Sequence, residues 1–451
     1  MDDSWQALRE RWQRRNPAPI SLPAPVRTGV RVFLCERDPE RLSASLFAAA
    51  AAGARVALAN PDWSRGDWDR AISAVLPDVV LGEGGSCEVR GDDATAGERE
   101  AADAWGEPGS VLIPTGGTGG LIRFARHTPA TLMAAARAVC DRLEVERYDA
   151  LCVLPLHHVG GLMQVFRALY GAGSVRFTDW RELLGGGWRR CDSTGKCTSL
   201  VPTQLSRALA DSSMLPWLRD FRAILVGGGA MADATLEAAR AARLPLAPCY
   251  GMTESAAAVT LLTPEAFLAG GSGCGRALPH AAVGIVDAAG APARTGHPGR
   301  IVLRADSLCA GYVPGDPLEH SDGFVTGDRG SLDENGSLHV LGRVDFAINT
   351  GGELVFPETV ERALLELDGV ADAVVVGVPD LEWGERVVAL VLPEDAGRCR
   401  FDRLMQGLRS RLAPHQRPKE IRIVSELPRN AMGKPDRARL AQSHAAHRSS
   451  R

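Results

Sequence analysis

Between about Val26 and Ala277, short aliphatic or β-branched runs such as Val111 to Ile113, Leu151 to Leu154 and Ala223 to Val226 alternate with helical stretches. That rhythm predicts a parallel α/β layer, with helices joining the strands. The alanine-rich stretch from Leu46 to Ala54 reads as a packed helix, and it stops at Arg55, short of the about 20 residues that cross a bilayer. From Gly299 the period changes. GRIVLRA and GSLHVLGR alternate polar and apolar positions between glycine turns, as antiparallel hairpins do. PETVERALLELDG then predicts a helix with Pro357 in its first turn and Gly369 beyond its end, and ADAVVVGVP predicts the strand that follows. The rhythm restarts at the glycine-rich INTGGE, which puts a boundary near Asp345. The expected class is α/β: a large N-terminal domain, 1–344, of parallel α/β subdomains plus a β-rich subdomain, and a small α+β C-terminal domain, 345–451.

Length and composition narrow the function. At roughly 150 residues per unit, a chain of 451 residues holds about three folding units. Its 51 Lys plus Arg against 55 Asp plus Glu leave a net charge of -4, which argues against a general affinity for nucleic acid or anionic lipid. Any anion must be held locally. MDDSWQALRERWQRR lacks the apolar core of a secretory signal, and the ten cysteines contain no CxxC pair, so a reducing cytoplasm is the expected compartment. The polar tail SHAAHRSSR is expected to fray.

Candidate chemistry is concentrated in short polar motifs. PTGGTGG, Pro114 to Gly120, follows an apolar strand and precedes Arg123, Arg126 and His127. Its glycines allow amides to turn inward and Thr115 and Thr118 add hydroxyls, a nest for phosphate oxygens; it is not a Walker loop. Alone it reads as an ordinary turn. YGMTE, Tyr250 to Glu254, sets an aromatic face, a hydroxyl and a carboxylate within five residues, suited to a purine, a phosphate oxygen and Mg²⁺. VGGGA, ending at Ala230, offers another close backbone approach. Asp328 in DGFVTGDRG and Arg343 and Asp345 in LGRVD suit ribose hydroxyls or phosphate, although surface Asp and Arg are more often merely solvated. Lys434 sits in a Gly-Lys-Pro turn where an exposed charge is the ordinary reading.

Taken together these residues resemble one family, the adenylate-forming enzymes that include acyl- and aryl-CoA synthetases, nonribosomal adenylation domains and firefly luciferase. PTGGTGG, LPLHHVGG, VGGGA, YGMTE, TGD, GRVDFAINTGGE, PETVE and PRNAMGK occur in the family's order from Pro114 to Lys434. Within the family the chain looks most like the o-succinylbenzoate–CoA ligases of menaquinone and phylloquinone synthesis, on PTGGTGGLIRFARHT, HVGGLMQVFRAL and LVPTQLSRAL.

The resemblance implies ATP with AMP as product, Mg²⁺ and coenzyme A. Thr115, Gly116, Gly117, Thr118, Gly119 and Gly120 would hold phosphates, and Gly228, Gly229, Tyr250, Gly251 and Met252 would lie around the nucleotide. Thr253 would meet phosphate and Glu254 would ligate Mg²⁺. Asp328 and Arg343 would hold ribose, Asp345 would be the pivot of a mobile C-terminal domain, Gly351 and Gly352 would line the pantetheine tunnel, and Lys434 would be the catalytic lysine. For a diacid aromatic substrate, His158, Gln164 and Thr203 are candidate donors to the second carboxylate, with Gly160 and Gly161 making room for the ring; His158 is also a candidate catalytic residue. Two positions depart from the family pattern: the loop reads Leu121, Ile122, Arg123 where a Pro-Lys pair is usual, so Arg123 is the candidate replacement cation, and Phe346 stands where a second acidic residue is frequent. Other aryl- or acyl-CoA ligases, and a nonenzymatic AMP or acyl-adenylate sensor, remain alternatives. No nucleic-acid partner and no membrane span are expected; the oligomeric state is open between monomer and homodimer.

Overall fold

The computed structural model describes residues 2–16, 26–82, 104–116, 122–315, 317–318, 322–380, 382–394, 400–428, 435, 437 and 440–441. Gly117 to Leu121, Lys434 and the tail SHAAHRSSR therefore lie outside the described residues.

A six-stranded sheet and a seven-stranded sheet form the first two layers. In the first, Arg31–Cys35 pairs in parallel with Arg55–Leu58 and Val79–Gly82, and Arg55–Leu58 pairs in parallel with Val111–Gly116. Its other edge is antiparallel: Val111–Gly116 to Ile122–His127, then Ile122–His127 to the short strand Tyr312–Val313. In the second, Leu246–Met252, Ala223–Val226, Cys197–Leu200, Ala150–Cys152 and Val175–Phe177 are parallel, while Ala257–Leu261 and Arg276–Ala277 close one edge antiparallel. The parallel expectation thus holds for the centres of both sheets. The antiparallel pairs lie at one edge of each sheet, where the parallel order gives way to strands running the other way.

Helices Pro39–Ala51, Pro129–Arg142 and Val159–Tyr170 fill the space around these sheets. Each begins for a local reason or a packing one: Asp38 accepts the Arg41 N–H, Thr128 accepts the Thr131 N–H, and both helices carry proline in the first turn. Val159–Tyr170 has no side-chain cap. Instead it is buried from Gly161 through Leu169 and packs with Leu132, Met133, Val32, Val56 and Ile113 in one apolar cluster. A helix apolar on all sides is an internal helix, which makes its polar residues, Gln164 and Arg167, conspicuous.

The remaining sheets follow the alternating pattern read from Gly299 onward. Ala281–Val286, Gly299–Ala305, Phe324–Leu332 and Leu338–Arg343 form an antiparallel four-stranded sheet. A five-stranded sheet then contains Ile348–Thr350, Glu353–Val355, Val370–Asp380, Gly384–Pro393 and Glu420–Ile423, packed with helices Pro357–Leu365 and Phe401–Arg409. The first of those helices stops four residues short of Gly369, because Leu367 folds back to bond the Leu364 carbonyl at 3.0 Å and packs on the local core. Among the described residues no helix is long and apolar enough to cross a membrane.

Candidate active site

The site is assembled where the first sheet's antiparallel edge meets the end of strand Leu246–Met252. Thr115 and Gly116 finish strand Val111–Gly116 and pair directly with Arg123 and Ile122 on the returning strand. Leu246–Met252 runs into a single 3₁₀ turn, Thr253–Ser255, followed by Ala256 and Ala257 with φ of 51° and 74°. Two successive non-glycine residues with positive φ store strain of a kind that persists where the surroundings enforce it, frequently at functional sites. Gly251 is required here: a Cβ on it would lie 1.7 Å from the Ala257 carbonyl oxygen.

The 3₁₀ turn is held from several directions. His127 Nε2 donates to the Thr253 carbonyl at 2.8 Å, and the Cys309 N–H donates to the Glu254 carbonyl at 2.7 Å. The Glu254 side chain accepts on Oε1 from the Thr115 hydroxyl at 3.3 Å and from the Tyr312 hydroxyl at 2.9 Å. Arg123 sits over the Tyr312 ring, its guanidinium carbon 5.8 Å from the centroid. Burial, then the Glu254 charge, push the Tyr312 phenol up, so it stays a donor. The Thr253 hydroxyl has no partner among the described residues.

A second chain of contacts runs from Tyr250. Its hydroxyl donates to Asp328 Oδ2 at 2.7 Å, Asp328 Oδ1 lies 3.9 Å from Arg343 Nε, and Arg343 Nη2 donates to Asp345 Oδ2 at 2.6 Å. Asp328 and Arg343, on consecutive antiparallel strands, are register partners in the four-stranded sheet. Burial first, then the Asp328 charge, raise the Tyr250 phenol, which is a donor across ordinary pH. Asp345 is exposed in the turn Val344–Phe346 that links the last two sheets.

The other candidates are dispersed. Gly228 and Gly229 leave strand Ala223–Val226 against Val201 and Pro202, beside Thr203 at the start of helix Pro202–Ala210. His158 occupies the position before helix Val159–Tyr170, its ring 4.3 Å from that of His157. Gly161 leaves no room for a ring: a Cβ there would already lie 2.3 Å from the Pro155 carbonyl oxygen and 2.5 Å from that of Leu154, so its small size serves backbone packing. Gly160 meets Leu154 alone. Gln164 is fully buried, accepts from Tyr148 at 3.4 Å, and has no partner for its Nε2 among the described residues. Gly351 and Gly352 form the turn between Ile348–Thr350 and Glu353–Val355, in a different sheet from Glu254; Gly351 lies against the Trp383 ring and Gly352 faces open space. Lys434 is outside the described residues; Arg437, three positions on, bonds Glu361 at 2.5 and 3.0 Å.

Two residues were not anticipated. Tyr312 sits in a strand of two residues, too short for any periodic signal. Arg167 was visible as a charge inside an apolar helix. It is 2% exposed, donates to the Ser199 hydroxyl at 3.5 Å, has an unpaired Nε, and forms no ion pair with a carboxylate among the described residues.

Among the described residues no three His, Cys, Asp or Glu side chains converge. Glu254 with flanking hydroxyls is nonetheless a donor set that fits Mg²⁺, which is commonly held by one or two carboxylates plus substrate phosphates and water.

Comparison with known proteins gives the same picture. A family model described as AMP-binding enzyme matches residues 23–313, and one described as AMP-binding enzyme C-terminal domain matches residues 359–434. The chain is 34% identical over 352 residues to the "Probable 2-succinylbenzoate--CoA ligase" of Mycobacterium tuberculosis, covering 74% of this chain and 85% of that protein. It is 31% identical over 348 residues to the 2-succinylbenzoate–CoA ligase of Listeria monocytogenes, covering 74% and 70%. In fold it is similar to the o-succinylbenzoate CoA synthetase of Bacillus subtilis in complex with the acyl-adenylate intermediate, with a TM-score of 0.79 at 23% identity over 97% of this chain and 92% of that one. ATP-bound MatB from Rhodopseudomonas palustris gives 0.78 at 23% identity over 98% and 93%.

Two buried histidines and a half-buried one set a pH dependence. Burial pushes His127 down to about 4, His157 to about 3 and His280 to about 4. Each folded value lies below the unfolded one, so the unfolded chain binds more protons as pH falls below about 6.5, and the stability these rings lend at neutral pH is progressively lost. Urea midpoints are expected to fall between pH 6.5 and 5, each ring contributing a slope approaching about 1.4 kcal/mol per pH unit, and His127→Gln is expected to flatten the curve. A midpoint constant across that window would contradict this.

Proposed function

The chain belongs to the AMP-binding enzyme family, and on that premise we propose that it is an o-succinylbenzoate–CoA ligase acting in menaquinone or phylloquinone synthesis. The observation that carries the reading is Glu254, fixed by Thr115 and Tyr312 beside the Tyr250–Asp328–Arg343 chain. A carboxylate for a metal, an aromatic ring for a purine and an acid–base pair for a ribose lie in one place.

In the first half-reaction an oxygen of the substrate carboxylate attacks the α-phosphorus of ATP, the bond to the bridging oxygen breaks, and pyrophosphate leaves an acyl-adenylate. Two anions must meet, so fixed donors are needed where charge collects. We assign the phosphates to Thr115 through Gly120, with Arg123 and Thr253 beside them. Tyr250, Gly251 and Met252 lie along the nucleotide, with Gly228 and Gly229 on its adenine and Asp328 and Arg343 on its ribose. Lys434 is the ammonium group that offsets the charge developing in this step. Mg²⁺, when bound, neutralises triphosphate charge, and Glu254 is the residue that holds it.

In the second half-reaction the CoA thiol attacks the adenylate carbonyl, the thioester forms, and AMP leaves. The same site must now admit a thiol where a lysine stood. Residues 345–451 would then turn as a lid on 1–344 about Asp345, bringing Gly351 and Gly352 along the pantetheine path; such closures need few hinge residues. ATP and CoA place the reaction in the cytoplasm.

The acid follows from two supports. Relatives carry the name 2-succinylbenzoate–CoA ligase, and the buried Arg167 has no carboxylate partner among the described residues. A lone buried guanidinium is costly, and a second substrate carboxylate would offset that cost. Gln164 Nε2, one helical turn away, is a further unpaired donor; His158 and Thr203 remain candidates at the ends of the two neighbouring helices.

A panel of carboxylic acids with ATP, Mg²⁺ and CoA tests the assignment: o-succinylbenzoate is expected to release AMP well above a no-acid control, and release no greater than that control would refute it. Arg167→Met is expected to raise the KM for o-succinylbenzoate by about tenfold or more while changing that for 4-oxo-4-phenylbutanoate, which lacks the ring carboxylate, far less. Equal changes for the two acids would remove Arg167 from the recognition of the second carboxylate.

A further inference from the structure

We propose that Tyr312 is a positioning residue that determines which oxygen of Glu254 is presented to the metal–nucleotide complex and holds Arg123 over its ring. The proposal rests on the reading that Glu254 holds Mg²⁺. It comes from the geometry around one carboxylate. Oε1 accepts from both the Tyr312 and Thr115 hydroxyls, at 2.9 and 3.3 Å. A carboxylate oxygen has two lone-pair sites, so Oε1 is saturated and Oε2 is left as the ligand oxygen. Nothing among the described residues bonds Oε2.

The segment that delivers Tyr312 is an excursion from the four-stranded sheet into the first one. Tyr312 and Val313 pair with Ala125 and Phe124, the Ala310 N–H donates to the Arg126 carbonyl at 2.9 Å, and the Arg126 N–H donates to the Gly311 carbonyl at 2.9 Å. The Cys309 N–H, three residues earlier, holds the Glu254 backbone at 2.7 Å. Backbone and side chain of Glu254 are therefore gripped by the same short stretch. The face of the Tyr312 ring meets the Arg123 guanidinium at 5.8 Å, a cation–π arrangement. One tyrosine thus orients an anion through its hydroxyl and a cation through its ring, and Arg123 is the cation that follows Leu121 and Ile122 in the sequence, where the family's usual lysine is missing. Hydrogen-bond partners of ligating carboxylates typically change metal affinity by about 10–100-fold when removed.

The test uses the full-length enzyme with ATP and Mn²⁺ as a paramagnetic probe, without any acid, so that the identity of the acyl substrate does not enter. Tyr312→Phe keeps the ring and loses the hydroxyl: Mn²⁺ affinity of the ATP complex, read from the electron paramagnetic resonance of free Mn²⁺, is expected to weaken about tenfold, equivalent to about 1.4 kcal/mol. Its thermal midpoint and its ATP affinity in EDTA are expected to match wild type, which a merely structural role would not preserve. Tyr312→Leu also removes the ring and is expected to weaken metal-free ATP binding about fivefold through Arg123. Should Tyr312→Phe not fold, Thr115→Val removes the other bond to Oε1 and is expected to weaken Mn²⁺ in the same direction. Mn²⁺ affinity within twofold of wild type in the folded variant would overturn the role of Tyr312. A wild-type enzyme whose ATP complex binds no Mn²⁺ would instead remove the Glu254 assignment on which the proposal stands.

Discussion

One carboxylate, that of Glu254, is fixed at the junction of three strands that are remote from one another in the chain. Thr115 reaches it from the end of a parallel strand, Tyr312 from an edge strand, and His127 and Cys309 hold the backbone turn that bears it. The rest of the architecture is consistent with this requirement. The antiparallel return after Gly116 brings Arg123 and His127 to the turn. The strained pair Ala256 and Ala257 sends the chain back along strand Leu246–Met252, and Gly251 gives it room to cross. A short turn that carries strain must be held by surroundings that over-determine it.

The same logic applies inside the helix Val159–Tyr170. Burial from Gly161 to Leu169 provides packing, yet Gln164 and Arg167 are placed within it with donors left unpaired. Stability alone would favour apolar residues of similar volume there. An anionic ligand would supply the partner that none of the described residues provides. In the C-terminal segment, Arg437 donates from Nη1 and Nη2 to Glu361 and from Nη1 to the Val375 carbonyl, which ties that segment to helix Pro357–Leu365.

Much of this was legible in the sequence wherever a local rule governs. Val111 to Ile113, Ala223 to Val226 and ADAVVVGVP read as strands because apolar runs bounded by glycine or proline leave few alternatives, and Pro357 marked its helix start. YGMTE and PTGG were legible as polar motifs near strand ends, but Pro114 to Gly116 and Tyr250 to Met252 belong to the strands, and only Thr253 and Glu254 lie in the turn beyond. What escaped was long-range. Nothing near Tyr312 announces that it will meet Glu254, because a two-residue strand has no period and its partner is chosen by sheet topology. Gly161 was read as space for a ring, whereas its missing side chain admits two carbonyl oxygens, a contact made only once the preceding loop has folded onto the helix.

The central claim is that Glu254 acts on the nucleotide during acid activation and not in the transfer to CoA. Pyrophosphate–ATP exchange driven by o-succinylbenzoate, measured beside thioester formation from preformed acyl-adenylate in Glu254→Gln, tests it most directly. The account expects exchange to fall at least about 100-fold, the scale of losing an electrostatic stabiliser, with thioester formation nearly unchanged. Exchange at the wild-type rate, or equal loss of both half-reactions, would contradict it.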